Sequence, residues 1–153
     1  MVSQNFPSAI RTLLNDATHW LILDPAFADV QFPQKVSRSY LTRADRVGKN
    51  MVWIDEQRGM PQETQPLGGC LMRGLFDIFC YARAKSSQES EVKAAEDRST
   101  NMRQQASDII KAHYKTLTGA ILMRPIGTYP LAEYNIDPCF FVKVLTVEVF
   151  YEI

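Results

Sequence analysis

Few side chains in this sequence stand in a pattern that catalysis would need. His19 has Asp16 three residues before it and Asp24 five residues after it, a spacing that could bring three metal ligands together. A histidine that borders a helix end is the alternative, and we favour it. No serine stands in a G-x-S-x-G elbow, so the sequence indicates no catalytic triad. We therefore expect no catalytic residue, no metal site and no cofactor.

A glycine-rich stretch and an acidic pair are the next candidates for chemistry. Gly68, Gly69 and Gly74 fit neither common phosphate-loop pattern, and they lead into a strand where a phosphate loop would lead onto a helix N-terminus. We interpret them as structural, with a bulge or a close contact at Gly74. Asp55 and Glu56 are adjacent, and adjacent strand residues point to opposite faces, so they could act as general acid and base only with partners from elsewhere in the chain.

The cysteines and the second histidine also favour structural roles. Cys70, Cys80 and Cys139 are odd in number and include no C-x-x-C pair, which indicates neither a disulfide framework nor a zinc ribbon. We expect all three to be reduced and to pack as small hydrophobic side chains. His113 falls on the apolar stripe of a predicted helix, where a hydrogen-bonded histidine at the core edge fits better than a ligand.

Helices and strands that would position these residues follow from the spacing of apolar side chains. Apolar residues recur every three or four positions in two segments and alternate, or run continuously, in several others. The pattern predicts helices over 6–18 and 90–115, strands over 51–55, 69–84, 120–126 and 140–153, and a further strand around 36–42. This order predicts an α+β fold, with a single mainly antiparallel β-sheet and two packed α-helices in one domain over residues 1–153.

The segment 69–84 carries apolar side chains on both faces of its predicted strand. One face holds only apolar or small residues and must be core, whereas the other mixes large apolar and charged ones. If both helices cover the first face, the second is left for a partner; if each helix covers a different face, nothing is left over. On the first alternative we predict subunit contacts through Arg73, Leu75, Phe79, Tyr81, Glu148 and Phe150.

Composition excludes several classes of protein. The chain has 17 basic and 17 acidic side chains, a balance that disfavours a freestanding nucleic-acid binder. Basic residues gather in 35–58 and acidic ones in 131–153, so unlike faces could pair between copies, although uneven charge is also common on any solvated surface. The sequence predicts no signal peptide and no membrane contact.

The order of the predicted elements, with FDIFCYARAK ending a long strand and VLTVEVFYEI closing the chain, resembles the tail-terminator and tail-completion proteins of tailed bacteriophages. The resemblance implies a virion protein, made in the host cytoplasm, that forms a ring of commonly six copies without catalysing a reaction. It further implies contacts with the tail tube protein and with neck or head–tail connector proteins, while DNA passes through the ring without specific binding. The candidate partner-facing loop contains Glu56, Arg58, Gly59, Met60 and Pro61. The segment 25–50 matches nothing in the family pattern.

Two other classes remain open from the sequence. A small ligand-binding or regulatory α+β domain would show a concave apolar pocket. A metal-dependent hydrolase or nuclease would use Asp16, His19 and Asp24.

Overall fold

A computed structural model describes residues 6–16, 30–33, 36, 48–56, 62–63, 71–130 and 140–152. They form an α+β fold in which helices pack on one mostly antiparallel sheet, as the element order predicts. Of the predicted strand around 36–42 only Val36 is described, and the candidate loop residues 58–61 lie outside the described residues. The elements are α1 (Phe6–Leu14), β1 (Val30–Gln31), β2 (Asn50–Glu56), β3 (Gln62–Glu63), β4 (Leu71–Arg83), α2 (Glu89–Ala112), β5 (Leu122–Pro130) and β6 (Phe140–Glu152).

The two longest strands, β4 and β6, form the centre of the sheet. They pair antiparallel over 13 residues each, from Leu71 opposite Glu152 to Arg83 opposite Phe140. The strand order is β1, β2, β4, β6, β5, and β3 pairs with β4 near the start of that strand. Only β1 and β2 run parallel. In the described part of the chain, β5 is therefore an edge strand.

Both helices of the described residues cover the same face of the sheet, which we call the helix face. In α1, the buried residues Phe6, Ile10 and Leu14 follow each other at intervals of four. In α2, the buried stripe is built mainly of small and aliphatic side chains, which let the helix approach β4 and β6 closely. The sheet contributes the alternating residues Val52, Ile54, Phe76, Ile78, Cys80, Leu145, Val147 and Val149. The alternative in which each helix covers a different face does not hold.

The first half of α2 is fixed to one end of the sheet by polar contacts. Arg98 donates from Nε to Asn50 Oδ1 at 3.1 Å and from Nη2 to the carbonyl oxygen of Arg83 at 3.2 Å. Glu96 lies 3.8 Å from Lys143 Nζ on β6. At the other end of α2, the His113 amide donates a hydrogen bond to the carbonyl oxygen of Ile109. The chain then turns at Gly119, which has a φ of 85°. The two ends of α2 therefore lie at opposite ends of the sheet.

Two element ends differ from the prediction. The helix expected over 6–18 ends at Leu14, because Asn15 and Asp16 follow, and such short polar side chains compete for backbone hydrogen bonds. The strand expected over 120–126 starts at Leu122 and continues to Pro130. A register shift between Pro125 and Gly127 inserts Ile126 as a bulge, so the strand passes a proline and a glycine that would end a regular one.

Gly74 provides a close contact and no bulge, since β4 stays in register with β6 around it. A β-carbon at Gly74 would lie 2.9 Å from Cε2 of the Phe76 ring. That ring also meets Phe6 edge to face, with centroids 6.0 Å apart, and Phe6 lies 5.0 Å from the Tyr151 ring. The absence of a side chain at position 74 thus makes room for an aromatic cluster below α1.

The other face of the sheet, away from the helices, is called the opposite face. It has an apolar half near the C-terminal end of β4 and the start of β6. Trp53 and Phe79 stack there with centroids 5.1 Å apart, and Tyr81 contacts Phe140 at 5.3 Å. This second cluster consists of Met51, Trp53, Tyr81, Phe140, Val142 and Val144, with Val36 and Phe79 packed against it. Its members are almost completely buried, except Val36 and Phe79, which are half-buried. No helix among the described residues is long and apolar enough to cross a bilayer.

Candidate functional site

The other half of the opposite face is polar, and strand register assembles it. Asp55 on β2 lies opposite Asp77 on β4, which lies opposite Thr146 on β6. One row further along, Glu148 on β6 lies between Leu75 of β4 and Arg124 of β5. Because the side-chain period of a strand is two, all these side chains emerge on the same face. We call this set of residues the polar half.

An ion network occupies the centre of the polar half. Glu148 is 2% exposed, and its two carboxylate oxygens accept hydrogen bonds from Nε of Arg73 and, at 2.5 Å, from Nε of Arg124. Burial alone would raise the pKa of Glu148, but the hydrogen bonds and positive charges of the two arginines outweigh it and lower the pKa. Glu148 is therefore held as a carboxylate by two cations of its own chain.

The two arginines differ in exposure, which decides what they can contact. The Arg73 side chain is 27% exposed, whereas that of Arg124 is 62% exposed. Arg124 also lies over the Phe150 ring, with its guanidinium carbon 5.8 Å from the centroid. An exposed guanidinium that is fixed from below by a carboxylate and an aromatic ring loses little further freedom when it binds a partner. The network thus presents an ordered positive charge at the edge of the sheet.

A second hydrogen-bonded group adjoins the network. The buried Asp77 carboxylate accepts from Thr146 Oγ1 at 2.7 Å and from the Tyr129 hydroxyl at 3.0 Å. Burial and the bond to Asp77 raise the pKa of Tyr129 to about 12, so the phenol remains a donor at neutral pH. Partial burial and the nearby Asp77 charge raise the pKa of Asp55. The group ties three strands together and places the Tyr129 ring, 37% exposed, across the opposite face.

The six predicted contact residues belong to β4 and β6, and their side chains all lie on the opposite face of the sheet. Arg73 and Glu148 belong to the ion network, although Glu148 is covered by its own chain. Leu75, Phe79 and Phe150 are half-buried on the opposite face, and the contact role of these five stays a prediction. Tyr81 is 0% exposed within the apolar cluster of its own chain, and its contact role also stays a prediction.

The predicted partner-facing loop falls almost wholly outside the described residues. Glu56 is the last residue of β2, and its backbone pairs with Phe76 of β4. Arg58, Gly59, Met60 and Pro61 lie outside the described residues. Their role in contacting a partner therefore stays a prediction.

The residues that could not be singled out from the sequence are those brought together by register. Nothing in the sequence around Arg124 distinguishes it from other surface arginines. Its role becomes visible only from its position opposite Glu148 in the sheet. Asp77 is recognisable as a charge within an apolar strand, but its partners Tyr129 and Thr146 are 52 and 69 residues away. A charged residue within a half-buried strand is the signal that sequence offers, and it does not identify the partner.

Residues that could bind a metal ion do not converge in the described part of the chain. No group of three or more His, Cys, Asp or Glu there is placed to hold a metal ion. Cys80 is buried on the helix face, and burial, only partly offset by the charge of Arg103, raises the pKa of its thiol to about 12. His113 is half-buried and follows the last residue of α2. His19 and Asp24 lie outside the described residues.

An open cleft of about 390 Å³ lies between α1 and the turn after α2. Its lining consists of Ala9, Thr12, Leu13, Asp16, Thr116, Leu117 and Thr118. The predicted ligand-binding domain would have a concave pocket lined predominantly by apolar side chains. This cleft combines apolar and polar side chains, and the ligand-binding alternative stays a prediction.

Comparison with known protein families finds no family model that matches this chain. Comparison with curated proteins finds no significant match either. The geometry of the opposite face and the resemblance in element order are therefore the grounds for a function.

Proposed function

We propose that this protein is a virion structural protein of the tail-terminator or tail-completion type. It forms a ring at the head-proximal end of a phage tail tube and joins the tube to the neck. The observation that carries the proposal is the placement of both described helices on one face of the sheet. Among the described residues, the polar half of the opposite face presents the half-buried Leu75 and Phe150 beside an ordered ion network, and both features are common in subunit contacts.

A ring needs two different surfaces on each subunit, because head-to-tail contacts join unlike patches. The polar half and β5, which is an edge strand in the described part of the chain, supply one such surface. Large hydrophobic side chains along this edge, including Ile126 at 44% exposure, are common in interfaces. The neutral total charge suits a ring through which DNA passes, since tight binding would hinder its passage. The virion location of the chain belongs to the same proposal.

Oligomeric state is the first test. Light scattering on the purified chain should give a mass of about 104 kDa if six 17.4 kDa subunits form the ring. Negative-stain microscopy should show rings with a central opening. A monomer at every concentration, together with fields without rings, would contradict the proposal.

A variant at the polar half tests whether the proposed surface is used. Leu75→Asp places a charge on a half-buried position next to Glu148, and it should prevent assembly while thermal unfolding of the monomer remains cooperative. Ser90→Asp, an added charge at an exposed position in the first turn of α2, is the matched control and should leave the mass unchanged. Gene neighbourhood offers an independent check, because a terminator gene should lie among tail and capsid genes.

A further inference from the structure

The exposed large hydrophobic side chains of the described residues are concentrated in one stretch of the chain. All four occur within residues 114–129, which run from the end of α2 along the edge strand β5. They are Tyr114 (47% exposed), Ile121 (45%), Ile126 (44%) and Tyr129 (37%). The amide of Met123 donates to Tyr114 at 2.9 Å, which holds the turn against the start of the strand. We call the exposed surface of residues 111–129 the edge strip.

The charge of the edge strip is entirely positive. Lys111, Lys115 and Arg124 are its charged residues, and no acidic residue occurs between Asp108 and Glu133. Lys115 lies over the Tyr114 ring at 5.3 Å, and Arg124 lies over Phe150. Aromatic and aliphatic side chains interspersed with ordered cations are typical of an interface with an acidic surface.

The opposite end of the same helix carries an acidic surface. Glu89, Glu91, Glu96 and Asp97 lie in the first nine residues of α2, where Lys93 is the only basic residue. The next cation, Arg98, is turned toward the sheet by its bonds to Asn50 and Arg83. The exposed Lys85 precedes the helix by four residues, and the stretch from it to Asp97 stays acidic with four carboxylates against two lysines. We call these four carboxylates the helix-start cluster.

The helix dipole alone does not account for this separation of charge. Dipole effects favour acids in the first turn and bases in the last turn, and they fall off within one turn. They explain Glu89, Glu91 and Lys111. They do not explain Glu96 and Asp97, which lie beyond the first turn, or Lys115 and Arg124, which lie outside the helix. Glu96 and Arg124 already have partners in their own chain, Lys143 and Glu148, so Asp97 and Lys115 are the residues that call for another interaction.

We infer that the edge strip of one copy docks on the helix-start cluster of the next copy, and this inference rests on the proposed ring. The basic end of the edge strip, at Lys111 and Lys115, and the helix-start cluster lie at opposite ends of α2, which is about 36 Å long for 24 residues. Unlike surfaces at opposite ends of one subunit generate a head-to-tail contact, which closes into a ring or continues as a filament. The inference commits to a second copy of this chain as the partner, because both complementary surfaces occur on it.

Charge reversal on each surface tests the pairing. Lys111→Glu with Lys115→Glu reverses the strip, and Glu89→Lys with Asp97→Lys reverses the cluster, all at exposed positions. The structure gives none of these four residues an ion-pair partner within the described part of the chain. Each double variant alone should raise the midpoint concentration for assembly at least tenfold. A 1:1 mixture of the two should assemble at close to the wild-type midpoint, because each reversed surface then meets its complement.

The control variant is Lys93→Glu, the same change on the same helix. It makes the helix-start cluster more acidic and should leave the midpoint unchanged or lower it. Assembly of both double variants at the wild-type midpoint would overturn the inference, as would a mixture that stays monomeric. Circular dichroism and thermal melting of each variant must first show a folded chain. If the wild-type chain itself forms no oligomer, the ring proposal fails and the inference fails with it, whereas unaffected variants of a ring-forming chain overturn only the pairing.

Discussion

Replacing Glu148 by glutamine removes the charge that holds Arg73 and Arg124 while keeping nearly the same side-chain volume. The lost interactions are two charge-assisted hydrogen bonds from a residue that is 2% exposed. Such a bond contributes about 1.5–3 kcal/mol when buried, whereas an exposed ion pair contributes about 0–1 kcal/mol.

The exposures of the two arginines set the expected magnitude. The Arg73 side chain is 27% exposed, so its bond to Glu148 should contribute an amount near the range for buried bonds. The Arg124 side chain is 62% exposed, so its bond should contribute no more than an exposed ion pair does. The glutamine carbonyl oxygen still accepts a hydrogen bond from one guanidinium, but it carries no negative charge. We therefore expect Glu148→Gln to lower the free energy of unfolding by about 2 kcal/mol at pH 7. For a chain of this size, that corresponds to a fall in melting temperature of roughly 4–8 °C.

The pH dependence gives the prediction a direction as well as a size. The pKa of folded Glu148 is lowered from its ordinary value of 4.5, so its stabilising effect is fully present above that value. It is lost as the pH falls through the folded pKa, where wild type becomes protonated and resembles the glutamine variant. The difference between the two proteins should therefore shrink below about pH 4.5.

Urea unfolding, followed by circular dichroism between pH 3 and pH 8, measures both effects. Two protein concentrations separate folding stability from assembly. Glu152→Gln is the matched control, because Glu152 is exposed on the same face of β6, and its effect should stay within about 0.5 kcal/mol. A loss below about 0.5 kcal/mol for Glu148→Gln at pH 7, or a loss that is equal at pH 3 and pH 7, would refute the reasoning.

Three further predictions concern single positions of the sheet. Gly74→Ala should cost about 1–3 kcal/mol in urea unfolding, because the new methyl group would lie 2.9 Å from the buried Phe76 ring, whereas Gly127→Ala, with open space around it, should be nearly neutral. Asp55→Asn should raise stability at pH 7 by less than about 1 kcal/mol, since it removes repulsion from the carboxylate opposite. The gain should decline as the pH falls through the raised pKa of folded Asp55 and vanish below its ordinary value of 3.8, and a gain that persisted there would contradict this. Peptide mapping after iodoacetamide treatment at pH 8 should find Cys80 unlabelled in the native chain and labelled in urea; labelling at the rate of a free thiol would contradict its burial.

The fold class and the core face of β4 could be predicted because they depend on local periodicity. Alternation over 69–84 assigns Phe76, Ile78 and Cys80 to one face, and the structure buries all three against the helices. The stripe of α2 is equally local, since residues three or four apart share one side of a helix. Both signals arise within a single element and need no knowledge of its neighbours.

Contacts between distant strands could not be predicted in the same way. Arg73 and Glu148 are 75 residues apart, and their pairing follows from a register that runs unbroken along β4 and β6. Tyr81 illustrates a second limit, which concerns burial and not pairing. Its alternation correctly places it away from the helices, but an aromatic residue on that face becomes core where a second cluster surrounds it. Period two assigns a residue to a face and does not determine whether that face is covered.

The bulge at Ile126 is another feature that the sequence does not predict, and it bears on the proposed function. Pro125 and Gly127 lie close together in the sequence and predict a strand end. In an edge strand, however, only one side of the strand pairs with a neighbour, so neither residue disrupts pairing on the other side. The insertion increases local twist and re-aims the side chains that follow it, which helps an edge strand avoid uncontrolled pairing. An edge modified in this way still exposes Ile126 and Tyr129, so contact through side chains is favoured over strand addition.

The neutral net charge acquires a more specific meaning from these positions. Glu148 is neutralised within its own subunit by Arg73 and Arg124, so this carboxylate is not free to balance charge between copies. The network as a whole keeps one excess positive charge, carried at the surface by Arg124. In the proposed ring, charge compensation between copies would come from carboxylates that lack an ion-pair partner in their own chain, and Glu89 and Asp97 at the start of α2 meet that condition among the described residues. Mutation of Glu148 should therefore change stability first, whereas mutation at the ends of α2 should change assembly first.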